Sequence, residues 1–380
     1  MINEKKALSF DLRKYMMVIA LVGIWAIFGA ISGGTYLLPR NLSNLFRQSV
    51  FTAILAIGML NVIVLGQIDL SVGSIAGLCG GILAIANVWK GMSPLVSIAI
   101  TLAAGLLLGL WNGWWVAYRN VPSFIVTMAG LLVFRGVLVG ITDGITIGPV
   151  SPFFGVIGKE FLPTIVGIAL GAVVIVFYLV GQYSERSGKL RHGLRVAPPR
   201  TEVAKSVFFT LLIVVFVVVM NAYRGVPNPV VIVLVLLVVF SYLSNKTVFG
   251  RRIYAIGGNK MASRLSGIDI RRITLIVFGI NGAMAAIAGI FLTSRLDAAA
   301  VNAATSAELD AIAACVIGGT SLMGGVGRIW GTMLGVVFLG VIMNGMTLLN
   351  VSEYWQHVVR GAIILVAVLL NLLQKRKGER

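Results

Sequence analysis

Charged side chains are scarce in this sequence, and acidic side chains are the scarcest. Only 12% of the 380 residues are charged, with 13 Asp and Glu against 31 Lys and Arg, whereas 58% are hydrophobic. Because a soluble globular domain carries about 25% charged residues, the composition excludes that class. A polytopic membrane protein of the all-α class is predicted instead.

Cysteine and histidine are nearly absent as well, with two of each. Cys79 and Cys315 lie in apolar runs, which argues against a disulfide or a metal site. His192 and His357 lack the neighbours that metal or triad chemistry needs. No G-x-x-x-x-G-K-S/T run occurs, and "GGTSLMGG" at 318–325 has no lysine to reach phosphate oxygens. The chain is therefore expected to bind no cofactor, not to be an enzyme and not to hydrolyse ATP by itself.

Long apolar runs, by contrast, recur along the whole chain. Eleven of them approach the roughly 20 residues that a helix needs to cross a hydrocarbon core of about 30 Å. None shows the ten-residue alternation typical of an outer-membrane barrel, so helices are predicted. We interpret the first run as a retained helix, because no A-x-A-like cleavage site follows it. The predicted spans are 16–31, 48–65, 71–89, 95–118, 121–141, 162–182, 206–222, 229–244, 273–293, 328–349 and 356–373.

The basic residues are concentrated in four blocks rather than spread as a nucleic-acid-binding surface would require. The blocks are 1–15, 183–205, 245–272 and 374–380, and they hold 21 of the 31 Lys and Arg. By the positive-inside rule, all four face the cytoplasm. A transmembrane domain over 16–373 is therefore predicted between a cytoplasmic N-terminus and a cytoplasmic tail. Membrane lipid is an expected partner of the basic blocks and nucleic acid is not.

A count of crossings from a cytoplasmic start is one short. Eleven spans would leave the basic tail outside, against the positive-inside rule. The only segment that can supply another crossing is 307–325, which is apolar but short and begins with Glu308 and Asp310. We predict a short helix here that enters from the outside, ends at Gly324-Gly325 and packs among other helices. Asp310 is expected near the outer mouth of this segment and Ser321 deeper in the membrane. The whole chain is then predicted to have about ten to twelve spans, of which at least one is broken.

A second acid interrupts the apolar run "LGQIDLSVGSIAGL" at 65–78. Asp69 precedes an apolar helix, and as its N-cap the carboxylate can accept hydrogen bonds from the amides of Ser71 or Val72. A pathway-lining group and a proton or ion site are the alternatives. Asp310 is predicted to play the same part in its own segment, with Ser306 as a competing cap.

The two acidic segments indicate a degenerate repeat of two halves. Each acid is followed by glycine-rich helix and later by an Asn-Gly pair, at Asn112 and at Asn344. Broken helices in corresponding positions of two halves point to the pathway of a transporter. The candidate pathway or helix-break residues are Asp69, Ser71, Ser74, Asn112, Glu308, Asp310, Ser321 and Asn344.

Glycines spaced four residues apart are predicted to serve helix packing rather than substrate contact. Gly105, Gly109 and Gly113 form one such series, and Gly331 and Gly335 form another. Small residues let helices approach closely in a membrane, where no hydrophobic force drives them together.

The basic loop around 244–275 has a defined order of its own. After an expected strand, Gly257-Gly258 predicts a turn, Asn259 caps a short amphipathic helix over 260–266, and Gly267 ends it. A loop that only binds lipid needs the charges but not this order, so a protein partner is favoured. The candidate coupling residues are Gly257, Gly258, Asn259, Arg264, Leu265, Ser266 and Gly267.

Four stretches carry a family pattern: they are "GQIDLSVGSIAGL", "NVPSFIVTMAGLLVFRGV", "TVFGRRIYAIGGNKMASRLSGI" and "ELDAIAACVIGGTSLMGGVGRIWGTMLGVVFLGVIMNGM". Together they resemble the inner-membrane permeases of ABC sugar importers of the ribose, xylose and galactose branch. The resemblance covers most of 40–373, and the basic insertion 183–205 is similar to the xylose or multiple-sugar subgroup. It implies a multi-pass subunit of the bacterial inner membrane that forms the pathway for a monosaccharide.

The resemblance also implies the partners. A periplasmic sugar-binding protein would deliver the substrate, and a second copy of the chain would complete a homodimer. A cytoplasmic ATP-binding subunit would hydrolyse ATP and receive the helix at 259–267 in a groove.

Three other functions remain open at this point. An ion-coupled secondary transporter could use Asp69 and Asp310, although it would not need a coupling loop. An ABC permease could carry a non-sugar solute, such as a nucleoside or a signalling molecule. A membrane-embedded enzyme would need clustered nucleophiles, bases or metal ligands, and no such cluster is visible in the sequence.

Overall fold

The structure is a computed structural model that describes residues 12–194, 196 and 198–378. Most of the predicted N-terminal block 1–15, Arg195 within the predicted loop, and the end of the tail lie outside the described residues. The described part is helical, and nine of its helices are long and apolar enough to cross a membrane, which confirms the all-α polytopic class. The first half contains α1 Leu12–Ile31, α2 Pro39–Val64, α3 Val72–Ala84, α4 Pro94–Tyr118, α5 Ser123–Thr142, α6 Phe153–Gly158 and α7 Thr164–Arg191. The second half contains α8 Pro199–Asn221, α9 Asn228–Lys246, α10 Val248–Gly258, α11 Lys260–Leu265, α12 Ile270–Leu296, α13 Ala307–Ile317, α14 Ile329–Leu348 and α15 Glu353–Gly378.

Several helices extend beyond the apolar runs that predicted them. α2 begins at Pro39 instead of 48, since proline at the first helical position is preorganised for a helix and the polar first turns follow it. α7 continues to Arg191, where Glu185 and Lys189 pair one turn apart. Hydropathy locates the part of a helix that lies in the hydrocarbon core of the membrane, whereas capping residues and ion pairs determine where the helix ends.

The centre of the bundle is α12, which packs against α2, α3 and α4. On α4, Gly109 allows this contact, because a methyl group there would overlap the carbonyl oxygen of Phe278. The same closeness recurs where Gly335 of α14 meets the Ala314 carbonyl of α13. Both predicted glycine series therefore lie at helix contacts.

Helices α7 and α8 lie at the periphery. Only 11% of the most apolar stretch of α7 and 6% of that of α8 is buried, against 78% for α2. The C-terminal part of α7 and the first turn of α8 are joined by an ion pair between Arg186 and Glu202. In the single chain, the exposed apolar surfaces of α7 and α8 are therefore the ones that face the lipid.

The chain returns to one end of the bundle at α10 and α11, and we call this the basic end. α2 ends there as well, because the Gly325 amide donates to the Val64 carbonyl at 2.8 Å and Gly325 also packs against Gly258 of α10. The end where α2 begins is the opposite end. After α13, residues 318–328 reach the basic end, where the Tyr254 hydroxyl donates to the Gly327 carbonyl at 2.8 Å. α13 and this loop together thus run toward the basic end.

The prediction of one helix over 307–325 is wrong in its extent. α13 ends at Ile317 after 11 residues, and the rest of the segment is irregular. Gly319 follows at φ +88°, a backbone conformation that glycine adopts without steric cost and that stops the helix.

The expected strand before the short basic helix is also wrong, because 248–258 form α10. Thr247 caps this helix by accepting from the Gly250 amide at 3.1 Å. Ile253 and Ile256 are buried on one face while Arg251 and Arg252 are exposed, so the spacing fits a helical period.

Candidate functional site

Four polar side chains form a buried chain of hydrogen bonds in the centre of the bundle. Asp69 accepts from the amide of Ser71 at 2.9 Å and from its hydroxyl at 2.6 Å. The other carboxylate oxygen accepts from the Asn281 amide nitrogen of α12 at 2.9 Å. The Asn112 amide nitrogen of α4 donates to the Ser71 hydroxyl at 2.8 Å, and at most 1% of each of the four residues is exposed.

The structure corrects the position of Asp69 in one respect. The predicted bond from the Ser71 amide is present, but Ser71 itself is the N-cap residue of α3 and Asp69 lies two residues earlier. Asn281 was missed by the sequence interpretation. Its signal was available, since Asn281-Gly282 is a third Asn-Gly pair inside an apolar helix, alongside those at Asn112 and Asn344.

Two amide oxygens of this network have no hydrogen-bond partner in the described residues. The side-chain oxygen of Asn281 faces Gly58 of α2, where a methyl group would lie 2.5 Å from it. That of Asn112 faces Gly130 of α5, where a methyl group would lie 3.2 Å away. Glycine Cα–H groups give such oxygens weak contacts, so the network joins α3 and α4 to α12 and presses against α2 and α5.

The N-terminal turns of α3 and α13 meet inside the bundle. Glu308 is in the first turn of α13, and a methyl group on Gly73 in the first turn of α3 would overlap its carboxylate oxygen. Asn281 lies eleven residues along α12, about 16 Å from its start at about 1.5 Å per residue, so Asp69 is deep in the membrane region. Two positive helix ends, each with an acid beside it, converge at depth in the manner of broken transporter helices.

Asp310 does not cap its helix as predicted. It forms an ion pair with Arg360 of α15 at 2.9 Å, and both side chains are mostly buried. Ser306 occupies the N-cap position at φ 62° and makes no capping bond. Because α13 begins at Ala307, Asp310 lies too far inside the helix to reach the free amides. The two halves therefore differ at this position.

The remaining candidates lie in three places. Ser74 is buried in the first turn of α3. The Ser321 hydroxyl accepts from the Met323 amide at 3.3 Å in the irregular loop. Asn344 is near the opposite end, where it accepts from the Asn41 side chain at 2.9 Å. The structure thus joins Asp69, Ser71 and Asn112, and it places Asn344 in a separate contact.

Five glycines meet where α10 docks on the bundle, and we call this contact the glycine junction. Gly257 and Gly258 are the last residues of α10 and not a turn, so that part of the prediction is wrong. A methyl group on Gly257 would overlap the Val64 carbonyl oxygen and lie 2.6 Å from the Gly325 amide. The junction links α10 to the segment that leads into α3 and to the loop that leaves α13. Its members are Gly66, Gly257, Gly258, Gly324 and Gly325.

α11 projects from the basic end with two apolar side chains exposed. The Asn259 side chain caps it by accepting from the Ala262 amide at 2.9 Å, and Gly267 at φ +77° follows its end at Leu265 and the C-cap Ser266. Met261 is 65% exposed and Leu265, one turn on, is 82% exposed. Both apolar side chains thus lie exposed beside basic side chains such as Arg264.

Comparison with known proteins assigns the class. Residues 41–368 match the family described as branched-chain amino acid transport system / permease component. The chain belongs to this permease family. No solved structure matches it. The permease is 47% identical over 373 residues to the xylose transport system permease protein of Haemophilus influenzae, covering 98% of this chain and 99% of that protein.

Other relatives of the permease share its length. The xylose transport system permease protein of Escherichia coli is 47% identical over 97% of this chain and 94% of its own. The ribose import permease protein of Bacillus subtilis is 34% identical over 97% of this chain and 96% of its own. The resemblance to ABC sugar-importer permeases, closest to the xylose type, is therefore confirmed, and the permease is a transport component that spans the membrane repeatedly.

Proposed function

We propose that the permease is the transmembrane subunit of an ATP-driven importer and forms the pathway for a monosaccharide, with xylose as the first candidate. The observation that carries this proposal is the 47% identity to xylose permeases over nearly the whole chain. Similarity to ribose permeases is lower, at 34–35%. A periplasmic sugar-binding protein delivers the substrate, and a second copy completes the pathway.

The basic end is the cytoplasmic end in this proposal, with both termini in the cytoplasm of a bacterial cell and the chain in its inner membrane. The positive-inside rule supports this orientation, because α10, α11 and the start of α12 carry exposed Arg251, Arg252, Arg264, Arg271 and Arg272. The order of the helices along the chain supports the same side for the C-terminal end of α15.

The ATP-binding subunit receives α11. Met261 and Leu265 are exposed, adjacent on one face and fixed by the Asn259 cap, so they can enter an apolar groove of a partner. Movement of α11 passes to α10, and from α10 through the glycine junction to the segments beside α3 and α13. Both converging helix ends are thus coupled to the partner that hydrolyses ATP.

Asp69 acts as a structural joint in this mechanism. Its carboxylate is fully buried and occupied by three donors, so in this conformation it neither lines an open pathway nor offers a free site for an ion. Transport energy then comes from the ATP-binding subunit and not from an ion that binds Asp69.

The test is uptake of labelled xylose into proteoliposomes with the ATP-binding subunit and the binding protein. Uptake is expected to require ATP and to persist with an uncoupler while ATP is held constant. The double substitution Met261→Ser/Leu265→Ser should lower uptake at least tenfold without changing the yield or melting temperature of the permease. The matched control is Val203→Ser/Val207→Ser, an exposed pair of equal spacing on α8, which should transport normally.

Two results would contradict the proposal. Xylose uptake without ATP that an uncoupler abolishes would establish an ion-coupled carrier. Normal coupled uptake by the α11 variant would remove α11 as the docking element.

A further inference from the structure

The opposite end of the bundle carries arginines that the proposed orientation does not explain. Arg40 and Arg47 are on α2, Arg224 lies between α8 and α9, and Arg295 is in the last turn of α12. Periplasmic segments of membrane proteins are usually poor in Lys and Arg. Within the described residues, none of the four forms an ion pair with a carboxylate. No carboxylate of the described residues therefore lies within ion-pair distance of these four arginines.

Two of these arginines line a cavity of about 550 Å³. Arg40, Ser43, Asn44 and Arg47 are spaced three and four residues apart, so one face of α2 forms a wall of the cavity. Tyr223, in the α8–α9 connection, and Leu38, the residue before α2, also line the cavity, together with Thr35, Asn41 and Leu348. The lining combines cations, amide and hydroxyl groups and aliphatic carbon.

Hydrogen-bonding capacity in this wall is unused. Ser43 is 1% exposed and lines the cavity, yet its hydroxyl has no partner in the described structure. The Nε of Arg47 is also buried and has no hydrogen-bond partner among the described residues. The Arg47 guanidinium stacks on Phe161, 5.3 Å from the ring centre, and reaches only the Gly158 carbonyl, at 3.4 Å. A half-buried cation with open donors is costly unless an anion completes the site.

The position of the cavity indicates where the anion comes from. Its rim contains Leu38, 53% exposed beside exposed Leu37, and Tyr223 follows the lipid-facing helix α8. Arg40 and Arg47 are seven residues apart on α2, about 10 Å along the axis at about 1.5 Å per residue. The site therefore extends from the surface into the membrane edge, as a phospholipid headgroup does, and guanidinium groups bind phosphate with two parallel hydrogen bonds.

We propose that this cavity binds the phosphate headgroup of an anionic phospholipid of the outer leaflet, with Arg40, Ser43 and Arg47 as its donors. An anionic lipid fits better than a zwitterionic one, because an ammonium group beside the arginines would be repelled. This inference rests on the orientation proposed above, but not on the proposed substrate or energy source.

The test is thermal unfolding of the detergent-solubilised permease with short-chain phosphatidylglycerol or phosphatidylcholine of equal chain length. Phosphatidylglycerol is expected to raise the melting temperature at concentrations at least tenfold lower than phosphatidylcholine. Arg47→Gln, Arg40→Gln and Ser43→Ala should each reduce this preference severalfold. If Arg47→Gln fails to fold, the other two variants still decide the test, because Arg40 is exposed and Ser43→Ala removes only a hydroxyl group. Arg119→Gln is the matched control, because Arg119 stacks on Trp114 at the basic end in a similar way.

Five results would overturn the proposal. Equal stabilisation by the two lipids, or an unchanged preference in all three variants, would show that the cavity does not recognise the headgroup. An equal loss in Arg119→Gln would show a general charge effect. Equal stabilisation by inorganic phosphate would indicate a site for a free anion. The arginine variants could also keep the lipid preference but bind the binding protein more weakly in phosphatidylcholine nanodiscs. That result would assign the arginines to a carboxylate of the binding protein.

Discussion

Asp69 shows how one buried carboxylate can hold the centre of this bundle together. Its three donors come from the start of α3 and the middle of α12, and Ser71 extends the contact to Asn112 on α4. A hydrogen bond to a charged group contributes about 1.5–3 kcal/mol, and a buried donor left without a partner costs about 1–3 kcal/mol. The roles of Asp69 and Asn281 can therefore be tested by substituting each residue and by exchanging the two.

Asp69→Asn is expected to be mild and Asp69→Ala severe. The asparagine oxygen can keep both bonds from Ser71, and the unpartnered oxygen of Asn281 can turn to accept from the new amide. Alanine leaves the donors unpaired, at about 1–3 kcal/mol each. The measurement is the melting temperature of the purified permease together with reconstituted uptake.

Asn281→Asp gives the complementary result. It places a second carboxylate against Asp69 and should abolish folding or activity through repulsion. The exchange Asp69→Asn/Asn281→Asp should restore both. If the exchanged protein is as defective as Asn281→Asp alone, the negative charge is needed at position 69 itself, and the ion-site interpretation gains support.

At the scale of elements, we expect transport to depend on the close packing of α10 against the bundle more than on the charge of α10. The helix meets the ends of α2 and α13 backbone to backbone through the glycine junction. Gly257 and Gly258 are adjacent in sequence and both are helical, yet only a side chain at Gly257 would point into the bundle, since a methyl group on Gly258 would have no atom within 4 Å. The pair therefore separates packing from helix propensity.

Gly257→Ala is expected to prevent coupled transport, whereas Gly258→Ala is expected to transport normally. The added methyl group at Gly257 would overlap the Val64 carbonyl, and overpacking of this kind costs about 1–3 kcal/mol or more. Both substitutions raise helix propensity by the same amount, so it cannot explain a difference. ATP-dependent uptake and the melting temperature measure the outcome. Equal behaviour of the two variants would show that close docking of α10 is not required.

Prediction from sequence had different success for different elements. The long helices were found because each apolar run is sufficient to specify a membrane helix. The strand expected before Gly257 was wrong, because 248–258 form α10, in which Ile253 and Ile256 are buried at helical spacing. A short apolar run does not reveal whether the surrounding elements will accept a helical or a strand period. The end of α13 was wrong because apolar composition continues past Ile317 although the backbone does not remain helical.

At the scale of the whole molecule, the path of α13 and the following loop determines the side on which the chain ends. Ala303 precedes α13 and is exposed, and Met323 is exposed in the loop near Gly66. The two native cysteines, Cys79 and Cys315, are fully buried. These positions allow the topology to be measured without removing native residues.

Cysteine at 303 should react with an impermeant thiol reagent from the periplasm, and cysteine at 323 should react only from the cytoplasm. The unmodified permease should not react from either side, which provides the control for both variants. Labelling of both positions from one side would mean that α13 and its loop form a re-entrant hairpin, and the proposed sidedness of the C-terminus would be wrong.

The sequence by itself determined the class, the approximate place of the long helices, the capped helix α11 and the family. These properties are local, because partition of a segment into hydrocarbon and capping of a helix depend on side chains within that segment. Only the tertiary structure decided which polar groups meet: Asn281 with Asp69, 212 residues away, Arg360 with Asp310, and Gly257 with Val64. In a membrane interior, a buried polar group takes whichever partner the packing of helices brings within reach, and separation along the chain does not reveal that partner.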